Sequence, residues 1–455
     1  MEYKNLKRVI KTIMNYRHSI KAARICLFTT LFIIISCNKS DDSNEIVDLI
    51  QSPNILFIIA DDLGKDAING FTEGNIKPNT PNIDAIRNNG ISFTNFWANP
   101  TCTPTRASII TGKYGYRTGV KAVGDELSIL ETTLQKYIST QTNNKYASAI
   151  IGKWHLSGSN LAINPETFGI DYYAGLIRGA VNDYYQWQLN EDSATTQVTE
   201  YITETFTDLS IDWINQQSKP WFMWLAYNAP HTPFHAPPIN MHSQGNLPAY
   251  NNGLDPIPYY MAAIEAMDFQ IGRLLDAIPE VERNNTIIIF IGDNGTPNQV
   301  AQNPYSSATV KNTLYQGGVN VPMFISGNTV SRSGTDNNLI NSTDLFATIA
   351  EIAGISVNEI HDSKSFKPLL TSNNNNNNNN TIRDYQYSEM DNGTTDRWTI
   401  SNGEYKLIVS AVGMDEMYHL VVDPYENNNL LNGTLSTIQQ NAKSELESEL
   451  INIRN

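Results

Sequence analysis

Cysteine is nearly absent. The chain has 455 residues and three cysteines, Cys26, Cys37 and Cys102. So few thiols exclude a disulfide framework as the source of stability, which must come from the core, with or without a metal. Positive charge is short as well: 31 Lys and Arg stand against 46 Asp and Glu, a formal charge of −15. Seven of the basic residues, but only one acid (Glu2), lie in the first 36 positions. The remainder therefore carries 24 basic and 45 acidic residues, a charge of −21. A body this acidic excludes nonspecific binding to nucleic acid or to an anionic membrane; an anionic substrate would need positive charge gathered in one pocket. No internal repeat is visible. Apolar residues at 40% and charged residues at 17% exclude a disordered chain and suit a large globular core.

The N-terminus is a separate unit. Lys4, Lys7, Arg8, Lys11, Arg17, Lys21 and Arg24 form a basic flank before the apolar run "ICLFTTLFIIIS". That run is too short to cross a bilayer as a helix and suits a signal-peptide core. Its end, "IIISC", resembles a bacterial lipobox, which implies that Cys37 becomes the lipidated first residue of the mature chain. The following "NKSDDSNE" reads as a polar tether, and its acids resemble the surface-export signals of Bacteroidetes lipoproteins. The expected location is the periplasm or cell surface, with a lipid anchor in the outer membrane as the only membrane contact. Once Cys37 is acylated, Cys102 has no partner for a disulfide. The expected divisions are a signal peptide at 1–36, a tether at 37–52, a main domain at 53–384 and a small subdomain at 385–455.

Within the main domain, short apolar β-rich runs alternate with helical patterns. "PNILFIIA", "ISFTNFWA", "YASAIIGK", "PWFMWLAY", "TIIIFIG" and "VPMFISG" read as strands. "TPNIDAIRNNG" (Thr80 as N-cap), "TRASIITG", "YYMAAIEAMDFQIGRLLDAI" and "STDLFATIAEIAGI" read as helices. The alternation predicts an α/β fold, a large mainly parallel sheet sandwiched by helices. In such sheets, sites gather at the C-terminal strand ends, where the polar clusters of this chain fall. The Asn373–Asn380 run reads as a disordered surface loop. From about Tyr385 the pattern becomes antiparallel strands and a final helix.

One of the polar stretches, "TCTPTRASIITG", holds the lone Cys102. Pro104 disfavours a helical conformation at Thr103, so the helix should begin beside Cys102, where backbone N–H groups and the helix dipole favour anions. Arg106, one turn on, can orient an anion bidentately. A buried structural cysteine and a thiolate nucleophile activated by the helix terminus are the simpler readings. "ADDLG" and "GDNG" place Asp61, Asp62, Asp293 and Asn294 at strand ends, a hard oxygen set suited to Ca²⁺ or Mg²⁺. "GKWH" offers Lys153 and His155, "APHTPFH" offers His231 and His235, and "KNTLYQGG" offers Lys311.

Together these motifs resemble the type I sulfatases of the alkaline-phosphatase-like superfamily. "CTPTRASIITG" matches that family's C-x-P-x-R signature, and five further motifs follow the family's order over roughly Asn54–Gly354. Gln316 departs from the pattern K-x-x-x-Y-E-G-G, which has an acid there. The resemblance implies that a separate maturation enzyme oxidises Cys102 to formylglycine, and that one Ca²⁺ is held by Asp61, Asp62, Asp293, Asn294 and residue 102. It further implies that a hydroxyl of the aldehyde hydrate, activated by the metal and Asp293, attacks sulfur. Lys153, Lys311 and Arg106 then neutralise the sulfate oxygens. His231, with Lys311, protonates the leaving oxygen, while His155 takes the proton that expels sulfate. His235 is a candidate substrate contact. The expected substrate is a sulfated polysaccharide or oligosaccharide, and nucleic acid is no partner. The aromatic insert "IDYYAGLIRGAVNDYYQWQ" suits either stacking on sugar rings or packing. Two alternatives stand beside this reading: a phosphodiester or phosphonate monoester hydrolase of the same superfamily, and an inactive glycan-binding lipoprotein.

Overall fold

The computed structural model describes residues 52–159, 163–371, 381–391 and 396–455. The signal segment, Cys37, all of the tether before Ser52 and the Asn373–Asn380 run lie outside the described residues.

Strands β1 (Asn54–Ala60), β2 (Ile91–Phe93), β3 (Phe96–Trp97), β4 (Ala147–Lys153) and β5 (Tyr172–Leu176) come first. A hairpin of β6 (Trp187–Glu191) and β7 (Ala194–Val198) precedes β8 (Trp221–Tyr227), β9 (Thr286–Gly292) and β10 (Met323–Gly327). Short strands follow: β11 (Gly334–Asp336), β12 (Ile340–Asn341), β13 (Glu359–Ile360) and β14 (Ser363–Lys364). Last come β15 (Gln386–Asp391), β16 (Asp396–Ser401), β17 (Tyr405–Ser410) and β18 (Glu416–His419). Ten strands form one sheet in the order β11-β2-β10-β9-β1-β8-β4-β5-β6-β7. The central five, β9 to β5, are parallel, as expected. Strand β10 runs antiparallel to both its neighbours, and the β6–β7 hairpin is antiparallel at the other end. The sheet is therefore mixed, with a parallel centre.

The longer helices are α1 (Pro81–Asn88), α2 (Cys102–Thr111), α3 (Leu134–Gln141), α4 (Ile202–Ile214), α5 (Ile257–Ala277), α6 (Asp344–Ile352) and α7 (Thr437–Arg454). Successive side chains of β1 point to opposite faces. Ile55, Phe57 and Ile59 join Ile110 of α2, Leu134 and Ile138 of α3 and Phe346 of α6. Leu56, Ile58 and Ala60 join Ile83 of α1, Phe206 of α4 and Ile264 and Met267 of α5. Both faces are covered, which is why the central strands read as unbroken apolar runs rather than alternating ones. Each large aliphatic side chain buried this way contributes about 1.5–3 kcal/mol.

Two local expectations are corrected. "ISFTNFWA" is two strands in different sheets: β2 sits in the large sheet, while β3 pairs with β12. Between them Thr94 turns its carbonyl to Lys65 Nζ at 2.6 Å. Thr80 precedes α1 but does not cap it. The Thr80 hydroxyl accepts from Asn69, and Asp268 of α5 caps α1 instead, accepting from the Ile83 and Asn82 amides at 2.7 and 3.3 Å.

Strands β15 to β18 form the expected antiparallel subdomain sheet. Helix α7 covers one face through Leu446 and Leu450, packed with Tyr387, Leu407 and Met417. Ile408 and Tyr418 meet Trp97, Leu314 and Val319 of the larger body. Of the aromatic insert, Tyr173, Tyr184 and Trp187 are buried, and Tyr172 and Tyr185 pack against the core. Its rings are packing groups. Among the described residues no helix is long and apolar enough to cross a membrane.

Candidate active site

The parallel centre delivers four loops to one end of the sheet. Strand β1 ends at Asp61 and Asp62, β4 ends in Lys153 with His155 just beyond, β8 leads to His231, and β9 leads to Asp293 and Asn294. Parallel pairing in register (Ala60 beside Gly292 and Tyr227) sets these ends level with one another. Helix α2 completes the site, and its first residue is Cys102. Thr101 offers no side-chain cap and the first turn holds no acid, so the amides of this terminus remain open to an anion.

Cys102 is buried, and its Sγ lies 3.3 Å from His155 Nδ1. Burial, with Asp61 and Asp293 nearby, outweighs Lys153 and pushes this thiol up. It is held protonated, which counts against the thiolate-nucleophile reading. His155 is driven the other way: burial first, then Lys153 and Arg106, push it down to about 2, so the ring is neutral and able to accept a proton.

Three carboxylates and three cations interlock around this pair. Lys153 Nζ donates to Asp61 at 2.5 Å, and Lys311 Nζ donates to Asp62 at 2.6 Å. Arg106 donates to Asp293 at 2.8 Å and to the Lys153 carbonyl at 2.8 Å. Arg106 thus fixes Asp293, while its Nε is buried without a hydrogen-bond partner and remains a free donor at the site. His231 Nε2 approaches the Asp62 carboxylate at 3.6 Å, and its Nδ1 meets the Thr232 carbonyl at 2.5 Å. Burial disfavours the Asp62 anion, yet Lys311, His231 and Lys153 hold its carboxyl well below the usual range. Asp293 is pushed up to about 6 by burial and by Asp61, against the pull of Arg106.

The donors fit a hard divalent cation. Asp61 Oδ1 and Asn294 Oδ1 are both buried without a hydrogen-bond partner, an arrangement native proteins avoid unless something else binds there. Asn294 instead turns its amide nitrogen to Asp62 Oδ1, at 2.8 Å. Ligand atoms of Asp61, Asp62 and His231 lie within 4.8 Å of one another. Asp61, Asp62 and Asp293 balance Arg106, Lys153 and Lys311, so a divalent ion would leave the pocket net positive in an otherwise acidic molecule.

His235 stands apart from this group. Its Nδ1 meets the Pro233 carbonyl at 3.0 Å, its Nε2 meets the Tyr201 hydroxyl at 3.1 Å, and the ring stacks on Tyr184. Neither nitrogen is left for a ligand, so the expected substrate contact is corrected to a brace of the loop that carries His231. Several positioning residues had no signal in the sequence. Tyr184 donates to the His231 carbonyl at 2.6 Å, Tyr260 donates to the Asp62 carbonyl at 2.6 Å, and Thr103 Oγ1 lies 3.2 Å from His155 Nδ1. Asp62 and His155 have positive φ (68° and 60°), a strained backbone of the kind that gathers at functional sites. Gln316 accepts from Asn320 at 2.8 Å, and Asn320 accepts from Lys65 at 2.6 Å. The amide therefore belongs to a chain leading to Lys65 and touches no reacting group.

Comparison with known proteins bears on this geometry. The family described as Sulfatase matches residues 53–355, and N-sulphoglucosamine sulphohydrolase, C-terminal, matches 309–455. The chain is 27% identical to the uncharacterized sulfatase YdeN of Escherichia coli, over 67% of this chain and 63% of that protein. It is also 27% identical to human N-acetylgalactosamine-6-sulfatase, over 67% of this chain and 63% of that one. The chain spans less than two thirds of the length of these relatives. Among solved structures, BT4656 in complex with its substrate D-glucosamine-2-N,6-O-disulfate superposes with a TM-score of 0.74 at 22% identity, covering 89% of this chain and 98% of that one. Ps i-CgsB in complex with a neocarrahexaose gives 0.73 at 24% identity, covering 87% and 92%.

Proposed function

The chain belongs to the sulfatase family, and from that premise we propose that it hydrolyses sulfate esters on a sulfated carbohydrate. One observation carries the reading. A cysteine opens a buried helix 3.3 Å from a neutral histidine, beside three carboxylates and three cations at the ends of a parallel sheet. The solved neighbours bound to a neocarrahexaose and to a glucosamine disulfate support a carbohydrate as the substrate class.

Residue 102 acts, in this proposal, after a maturation enzyme has oxidised its thiol to formylglycine. A hydroxyl of the hydrated aldehyde passes its proton to Asp293 and takes the sulfuryl group as the S–O bond to the sugar breaks. His155, at the side chain of residue 102, then accepts the proton of the second hydroxyl. The carbonyl re-forms, the C–O bond to sulfate breaks, and sulfate leaves. Lys153 and Lys311 place ammonium charge where negative charge develops on the sulfate oxygens. His231, whose Nε2 lies 3.6 Å from the Asp62 carboxylate, donates a proton to the departing sugar oxygen. Calcium, held by Asp61, Asp62, Asp293 and Asn294, would supply further neutralisation of the sulfate and favour ionisation of the nucleophile. From the basic flank, apolar run and Ser36–Cys37 junction we place the protein in the periplasm or at the cell surface on a lipid anchor.

The test is release of inorganic sulfate from sulfated galactan, fucan and glycosaminoglycan oligosaccharides by protein co-produced with a formylglycine-generating enzyme. Turnover on at least one set, lost in Cys102→Ala, is expected. A folded, matured protein that releases no sulfate from any of them would sink the reading.

A further inference from the structure

The segment from Ile177 to Tyr184 bridges the two catalytic histidines. At its start the His155 amide donates to the Ile177 carbonyl at 3.1 Å. Gly179 lies against the His155 imidazole so closely that an added Cβ would fall 2.1 Å from the ring. At its end, Tyr184 donates to the carbonyls of His231 and Asn228. The segment leaves the C-terminal end of β5, so it lies on the same edge of the sheet as the catalytic groups. Arg178 sits between the two residues that touch His155.

Beside this segment is a cavity of about 400 Å³, within the range of about 300–1,000 Å³ usual for small-ligand pockets. Its polar lining includes Arg178, Asn182, Gln186 and Gln188, all exposed and with no side-chain hydrogen bond among the described residues. Arg178 has no ion-pair partner among them. Among the described residues the lining contains no carboxylate, in a chain with 46 acidic residues. The nearest acid in sequence, Asp183, accepts from the Tyr185 amide instead. Trp187 contributes an apolar wall.

We propose that this cavity is a subsite for the sugar unit adjoining the one whose sulfate is removed, and that Arg178 selects a second anionic group there, a sulfate or a carboxylate. The amides of Asn182, Gln186 and Gln188 suit sugar hydroxyls, and the guanidinium is the one full charge among the described lining residues. This assignment rests on the sulfatase reading for the identity of the first sugar. Arg178 makes no contact with Cys102 or with the carboxylates, so it sets preference and not the chemistry.

The experiment uses three disaccharides that share one scissile sulfate: one with a second sulfate on the adjoining unit, one with a carboxylate there, and one with neither. Affinity is measured by calorimetry on protein carrying Cys102→Ala, which does not turn the sugars over, with Arg178 as in the wild type or replaced in Arg178→Ala and Arg178→Lys, and turnover of a small aryl sulfate is followed in parallel with Cys102 present. The wild type should bind at least one doubly charged sugar about tenfold or more tightly than the singly charged one, as expected for a charge-assisted contact. Arg178→Ala should abolish that ratio, Arg178→Lys should keep part of it, and aryl sulfate turnover should be unchanged in both. The sulfate and carboxylate arms identify which anion is read. A wild-type ratio near one, or a ratio that survives Arg178→Ala, overturns the subsite even if the aryl sulfate is cleaved. A ratio that depends on Arg178 in matured protein that releases no sulfate from any of the sugars upholds the subsite and defeats the sulfatase reading instead.

Discussion

His231 and Lys311 approach the same carboxylate oxygen of Asp62, at 3.6 and 2.6 Å, yet the chemistry assigns them different work. If His231 is the proton donor, His231→Ala should cut hydrolysis of sugar sulfates by about 10²–10⁴-fold, because an alkoxide is a poor leaving group. An aryl sulfate, which leaves as a stabilised phenolate, should be slowed far less. Lys311→Ala should slow both, since sulfate charge must be neutralised in either case. Steady-state rates on the two substrate classes separate the roles, and equal losses for His231→Ala would make it a sulfate-binding group. Lys65 offers a second residue-scale prediction. Burial pushes its ammonium down to about 8 from 10.5, with Glu73 opposing weakly. Between those values the unfolded chain binds more protons, so this residue makes stability rise with pH, and its cost is greatest below 8. Gln316→Glu puts a carboxylate at the end of the Asn320 link to Lys65. It should raise that pKa and flatten the rise of the melting temperature across this window. An unchanged pH profile would show that Gln316 and Lys65 are not coupled.

At the scale of elements, the strand ends and the helix start were legible because their signals are local. An apolar run closing in "ADDLG" or "GDNG" marks a buried strand and its loop, and Pro104 marks the opening of α2 at Cys102. Gly152, just before the last residue of β4, has φ 107°, a conformation that side chains resist, and a Cβ there would meet the Ala226 carbonyl at 2.0 Å. The cap of α1 and the split of β2 from β3 were not legible, because Asp268 and Lys65 act from elsewhere in the chain. The braces Tyr184 and Tyr260 and the engagement of Arg106 with Asp293 were hidden for the same reason: contacts between distant residues leave no spacing to read. His235 shows the converse, since a histidine four residues after His231 looks available until Tyr201 and Tyr184 are seen around it. The bridge between the histidines yields a test of this packing. Gly179→Ala must displace the His155 ring or the loop, and should lower sulfate-ester turnover while leaving the melting temperature within a few degrees. A fully active Gly179→Ala protein would show that the contact can relax without moving His155.

Across the whole molecule, charge and metal binding are coupled. The chain is strongly acidic, and its catalytic pocket is neutral only because three cations meet three buried carboxylates. A divalent ion accepted by Asp61 Oδ1 and Asn294 Oδ1 would satisfy two orphaned atoms and bring Asp293 back toward the ordinary carboxylate range. Because such an ion binds the folded state, chelation should lower the melting temperature, and calcium should restore it at one equivalent per chain. Two equivalents would favour a binuclear phosphoester hydrolase. The chemistry itself turns on residue 102, and the most direct measurement is the mass of the tryptic peptide ending at Arg106 from matured, active protein. The peptide should carry an aldehyde in place of the Cys102 thiol, in proportion to sulfate-releasing activity. Full activity in protein whose peptide holds only the free thiol would contradict the formylglycine mechanism outright.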